Sequence, residues 1–95
     1  MVIYLNGRNQ ILQMEETLTT SAVYPREVVK RALDHAAAAL VFVHNHPSGN
    51  PKPSQDDITI TKKLKEAAEA IDVSVHDHLI IAGNEVYSFA DNGLI

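Results

Sequence analysis

Four consecutive apolar residues, Leu40-Val41-Phe42-Val43, stand between two stretches of helical periodicity and run straight into His44. A short, wholly apolar run of this kind reads as a strand covered on both faces. Before it, Pro25 suits the first turn of a helix and Glu27 suits the positive end of the dipole. Val28, Val29, Ala32, Leu33 and Ala36 then recur at helical spacing, which predicts a helix over about 25 to 38. After it, Ser54 reads as the N-cap of a second helix, with Asp56 and Asp57 in its first turn and Ile60, Leu64, Ala67, Ala68 and Ile71 as its apolar stripe. A strand flanked by two helices in this way needs neighbours in a sheet.

Those neighbours are legible at both ends. Met1 to Leu5 is rich in β-formers, Asn6-Gly7 is a hairpin signal, and a second strand is expected from Ile11 to Leu18, followed by a loop at Thr19-Thr20-Ser21. Val73 to Ala82 reads as a long strand, Gly83-Asn84 as a turn, and Val86 to Phe89 as a last strand. The order β-β-α-β-α-β-β implies an α/β domain, a mixed β-sheet flanked by helices, because strands joined through helices tend to run parallel. At 95 residues, with 45% hydrophobic and 21% charged side chains, the chain fits one domain spanning 1–95 and excludes two. It opens inside a strand, so the expectation is a domain cut short at its N-terminus.

Composition narrows the chemistry. No apolar stretch approaches the roughly 20 residues of a membrane helix, and Met1-Val2-Ile3-Tyr4-Leu5 lacks the flank and cleavage site of a signal peptide. The expectation is a cytoplasmic protein without a membrane partner. Zero cysteines exclude disulfide scaffolds, thiol nucleophiles and cysteine-ligated metals, so any metal must be held by nitrogen and oxygen. A net charge of −4 gives no general attraction to nucleic acid, and Lys62, Lys63 and Lys65 with Lys52 read as a solvated face. Exposed sheet ends make a homo-oligomer an open expectation.

Histidine is the unusual entry in the composition. Of five, four fall in two H-x-H pairs, His44 with His46 and His76 with His78. Residues two apart on a strand point the same way, so His44 and His46 would present two imidazoles to one point as they leave the apolar run. Pro47 keeps His46 extended, Gly49 permits a turn, and Pro51 and Pro53 restrict the returning loop. A first-turn aspartate of the second helix would complete a His/His/carboxylate set with one position open, the arrangement of a catalytic rather than a structural zinc site. An H-x-H pair alone can equally be two polar residues at an exposed strand end.

His44-Asn45-His46-Pro47, six residues, Ser54, two residues and Asp57 match the H-x-H-P-x6-S-x-x-D signature of the JAMM (MPN-type) zinc metalloproteases. His44-Asn45-His46-Pro47-Ser48-Gly49, Pro53-Ser54 and Asp77-His78-Leu79-Ile80 resemble the RadC branch of that superfamily, over essentially the whole chain. The resemblance implies a cytidine deaminase-like α-β-α sandwich and Zn2+ bound by His44, His46 and Asp57. It also implies that Ser54 helps to stabilise a tetrahedral intermediate during hydrolysis of peptide or isopeptide bonds. The RadC name carries a historical DNA-repair label, and the family's substrate is unsettled. The family's general-base glutamate lies N-terminal to the motif. Glu15, Glu16 and Glu27 are the candidates in this chain, and none matches a motif position.

Blander readings stand beside these. Ser54 with Asp57 is also what a helix N-terminus looks like, and Asp56 reads as a solvated first-turn acid. His76 and His78 are expected on one side of their strand, with Asp77 on the other beside Val75 and Leu79. Asp77 or His78 is the expected partner of a metal-bound imidazole, since such imidazoles usually donate their second N–H. His35, late in the first helix, suits the C-terminal dipole. The alternative to a hydrolase is a DNA-repair-associated binding module whose zinc site is structural or vestigial. A nuclease is disfavoured by the acidic charge, and a zinc deaminase is excluded by the absence of cysteine.

Overall fold

The computed structural model describes residues 1–16 and 24–95. Two expectations, the end of the second strand towards Leu18 and the loop at Thr19-Thr20-Ser21, lie outside the described residues. The elements are β1 (Val2–Leu5), β2 (Ile11–Glu15), α1 (Pro25–Asp34), β3 (Ala39–Asn45), α2 (Gln55–Glu69), β4 (Ser74–Ala82) and β5 (Glu85–Ser88). They form a sheet in the order β2-β1-β3-β4-β5. Among the described residues only β3 and β4 pair in parallel, with α2 as the crossover; the other pairings are antiparallel. The mixed sheet with its helices is the α/β architecture implied by the order of sequence patterns.

The apolar run at 40–43 becomes the central strand. Leu40 and Phe42 point into the main core with Val2 and Tyr4 from β1 and Val75 from β4, against Val28 and Ala32 of α1 and Leu64 and Ala68 of α2. Both helices thus close over one face of the sheet. On the other face Val41, Val43 and Leu79 are half-buried among the described residues. The strand continues to Asn45, two residues beyond the apolar run, because His44 pairs with Ile80 and Asn45 with Ile81. The His46 N–H still donates to the Ile81 carbonyl at 2.9 Å. That extension carries His44 and His46 out of the sheet on rigid backbone.

The first helix ends earlier than its periodicity suggests. After Asp34, His35 caps the helix and Ala36 turns to a φ of 53°, in the left-handed region. The Ala37 N–H then reaches the Ala32 carbonyl at 2.9 Å and the Ala36 N–H reaches Leu33 at 3.1 Å, the paired bonds of a Schellman ending. A run of four alanines looked like continuing helix because no glycine marked the stop. Leu33, expected on the buried face, is 61% exposed.

The fourth strand contains an irregularity that changes which side chains share a face. Leu40 pairs with Val75, but Val41 pairs with Asp77, so His76 is the extra residue of a bulge. His76 and His78 therefore do not share a side. His76 is exposed, with Nε2 2.9 Å from Asn9 Oδ1, whereas His78 falls on the helix side with Val75 and is 2% exposed. Strict alternation placed Val75 beside Asp77, and the inserted residue breaks that parity.

An alanine held at positive φ costs roughly 1–2 kcal/mol that glycine avoids, partly offset by glycine's greater unfolded-state entropy. Ala36→Gly is accordingly expected to raise stability by about 0.5–1 kcal/mol in urea denaturation. A helix running on to residue 38 would instead be weakened by about 1 kcal/mol, and a loss of stability would contradict the ending described.

Candidate metal centre

The strand end supplies two imidazoles and the return loop brings back the carboxylate. Gly49, at a φ of 80°, donates its N–H to the His46 carbonyl at 3.2 Å, which closes the tight turn after Pro47. The chain then enters α2 through a capping box. The Asp57 N–H donates to Ser54 Oγ at 3.1 Å, and the Ser54 N–H donates to Asp57 Oδ2 at 2.8 Å. Asp57 is 4% exposed, so the cap holds a carboxylate inside the protein.

His44, His46 and Asp57 come together: one donor atom from each lies within 4.8 Å of the others. His46 Nδ1 sits 2.9 Å from the Asn50 carbonyl, which can only accept, so that nitrogen carries the proton. The other nitrogen, Nε2, faces Asp57 Oδ2 at 3.1 Å. Two lone pairs face each other there unless a proton or a cation lies between. His44 Nδ1 lies 3.5 Å from Asp57 Oδ1 and is the one buried side-chain nitrogen or oxygen among the described residues without a hydrogen-bond partner. An orphaned imidazole nitrogen, an opposed lone pair and a buried carboxylate form a donor set of two nitrogens and an oxygen that fits Zn2+.

The electrostatics favour ligands in their metal-binding protonation states. Burial holds the His44 imidazole below its ordinary value, reinforced by His46 and opposed by Asp57. For Asp57, burial pushes the carboxyl up, but the hydrogen bonds from Ser54 and the two imidazoles outweigh it and the net shift is downward. Neutral imidazole and ionised carboxylate are the forms a metal needs.

The other expected site residues take separate places. Ser54 Oγ accepts from the Asp57 N–H, and Asp56 is exposed. Asp77 braces the C-terminal turn: it accepts from the His78 N–H at 2.7 Å, the Ser88 hydroxyl and the Ala90 N–H at 3.0 Å. That turn seats Phe89, fully buried, against the His78 ring, stacked at 4.5 Å. His78 lies beneath the cluster, its ring 5.9 Å from that of His44. Its Nδ1 is 2.7 Å from Thr61 Oγ1.

Thr61 is 1% exposed and went unnoticed in the sequence, although it continues the buried α2 stripe through Asp57, Leu64 and Ala68. Among the described residues no glutamate joins the cluster. Glu15 is held by His35 at 3.1 Å and Arg31 at 3.5 Å, beside α1. Next to the centre, Pro51, Pro53, Ile58, Tyr87 and Leu94 line an open groove of about 510 Å3 with Lys52 at its side.

Comparison with known proteins settles the lineage. Residues 1–94 match the family described as the RadC-like JAB domain. This chain belongs to the RadC family. It is 48% identical to the UPF0758 protein YfjY of Escherichia coli (strain K12) over 99 residues, covering all of this chain and 62% of that protein. It is 50% identical to the UPF0758 protein YeeS of the same strain, covering 99% of this chain and 66% of that one. A UPF0758 protein of Nitrosomonas eutropha is 53% identical over 98% of this chain but only 43% of its own length. The RadC chain thus spans between 43% and 66% of these relatives. No helix of the described residues is long and apolar enough to cross a membrane.

Burial lowers the His78 pKa from 6.5 to about 4, with His44 acting in the same direction and Asp57 and Asp77 opposing. A depressed histidine means the unfolded chain binds the proton more readily. Stability is therefore full above pH 6.5 and is lost as pH falls towards about 4. For His78 alone the loss is on the order of 3 kcal/mol. Chemical denaturation of metal-free protein across that range should show the slope, and His78→Gln should flatten it. An unchanged slope would contradict the buried neutral imidazole.

Proposed function

We propose that this RadC domain is a zinc-dependent hydrolase of amide bonds, of the peptide or isopeptide type. The observation that carries the reading is the set of half-buried His44 and His46 around buried Asp57, with His44 Nδ1 lacking a hydrogen-bond partner and His46 Nε2 turned onto a carboxylate oxygen. Zinc held by these three residues would supply Lewis acidity towards a carbonyl and towards water.

The chain's own groups do the rest. The Asn50 carbonyl fixes the His46 ring through Nδ1, and the capping box fixes the Asp57 carboxylate. Ser54, whose Oγ caps the same helical turn, is the hydroxyl this reading assigns to donate to the carbonyl oxygen as negative charge develops on it. The groove, lined mainly by Pro51, Pro53, Ile58, Tyr87 and Leu94 with Asn50 and Lys52 as its polar members, suits an extended peptide segment of a protein substrate.

A second reading is favoured by one observation, that no glutamate joins the cluster among the described residues. On that reading the domain holds zinc without turnover and serves as a binding module, such as one associated with DNA repair.

Metal analysis of the purified protein should find about one zinc per chain after loading. His44→Ala with His46→Ala should abolish uptake, and zinc content unchanged in that double variant would sink the ligand assignment. Zinc-dependent cleavage of peptide or isopeptide-linked substrates, lost in His44→Ala, separates the hydrolase from the binding module. Zinc uptake without cleavage would favour the second reading.

A further inference from the structure

Below the candidate metal centre, two buried polar side chains from different elements meet. Thr61, on the second turn of α2, is 1% exposed, and His78, on the strand paired with β3, is 2% exposed. Their contact, Thr61 Oγ1 to His78 Nδ1, is 2.7 Å, and the same hydroxyl donates to the Asp57 carbonyl at 2.7 Å. A hydroxyl has one proton. Since the Asp57 carbonyl can only accept, the Thr61 proton goes there and the oxygen must accept from His78. That fixes His78 as the Nδ1–H tautomer. The chain of bonds runs from an imidazole N–H in the sheet, through a hydroxyl, to the main chain of the residue whose carboxylate enters the metal centre.

Two ring contacts and the strand register hold the imidazole itself in place. Phe89 stacks on it, Phe42 meets its ring edge-on with centroids 6.1 Å apart, and the bulge at His76 gives it the parity to face α2. A threonine bonding four residues back in a helix is common and slightly destabilising on its own. A hydroxyl that also accepts from a buried imidazole of another element is anchored from outside the helix.

We propose that Thr61 and His78 are positioning residues for the metal centre. They lock the first turn of α2 to the sheet so that Asp57 meets His44 and His46 at a set distance. The inference rests on the metal-site reading above and adds a role that its ligands do not contain. The ligand carboxylate has its own cap in Ser54, which sets its rotation. The Thr61–His78 pair sets where the whole turn stands relative to β3.

The test is zinc affinity, measured by competition with a chromophoric chelator, together with the visible spectrum of the Co2+-loaded protein. Thr61→Val keeps the shape and removes the hydroxyl; Thr61→Ser restores it. The expected result is a loss of affinity of roughly ten-fold or more in Thr61→Val, with an altered Co2+ spectrum, and recovery of both in Thr61→Ser. Equal affinity and spectrum in wild type and Thr61→Val, whatever the change in melting temperature, would overturn the positioning role while leaving the metal site intact. Failure of the wild type to take up either ion would overturn the metal reading and this inference with it. Should Thr61→Val not fold, 15N NMR of wild-type His78 decides the matter. A protonated Nδ1 retained after zinc is added supports the hydrogen-bonded link from His78 through Thr61 to Asp57, and a bare Nδ1 overturns it.

Discussion

An ionised carboxylate buried between two imidazoles is costly, and the surroundings of Asp57 are organised around meeting that cost. The side chain receives the Ser54 N–H at 2.8 Å and faces two ring nitrogens, one of them unpartnered. Isolated carboxylates in apolar surroundings take up a proton. Here the hydrogen bonds of a helix cap and two adjacent imidazoles hold the group ionised despite burial. Such a constellation is only half satisfied by protein groups, and it has the donor set that a metal cation would complete.

The fold serves that contact. Parallel pairing of β3 with β4 requires a crossover, and α2 is that crossover, so its N-terminus returns to the end of the strand that has just delivered His44 and His46. The loop between them makes the return through one left-handed glycine and the rigidity of Pro47, Pro51 and Pro53. Asp77 works at a distance, pinning the C-terminal turn so that Phe89 covers His78.

Much of this was legible in the sequence because it is local. The apolar run, the H-x-H step and the capping residues lie within eighteen consecutive positions, 40 to 57. Strand periodicity relates His44 to His46, the cap pattern marks the helix start, and the spacing of the motif that resembles the JAMM signature singles out Asp57 from Asp56. The features that escaped are those without a local signal. Ala36 stops α1 in a left-handed conformation that glycine usually marks. His76 enters as a bulge, and one inserted residue reversed the expected facing of His78 relative to Val75. Thr61 looks like any threonine on a helix until His78 arrives across a gap of 17 residues to donate to it. The glutamates show the same limit from the other side: Glu15 was a candidate base by type, and the fold commits it to His35 and Arg31.

The most direct test of the central claim is the structure of the zinc-loaded protein, with anomalous scattering at the zinc edge to place the ion. The account predicts a single anomalous peak bonded to His44, His46 and Asp57, with its remaining position filled by solvent. A peak elsewhere, or a fourth protein ligand closing the site, would contradict it.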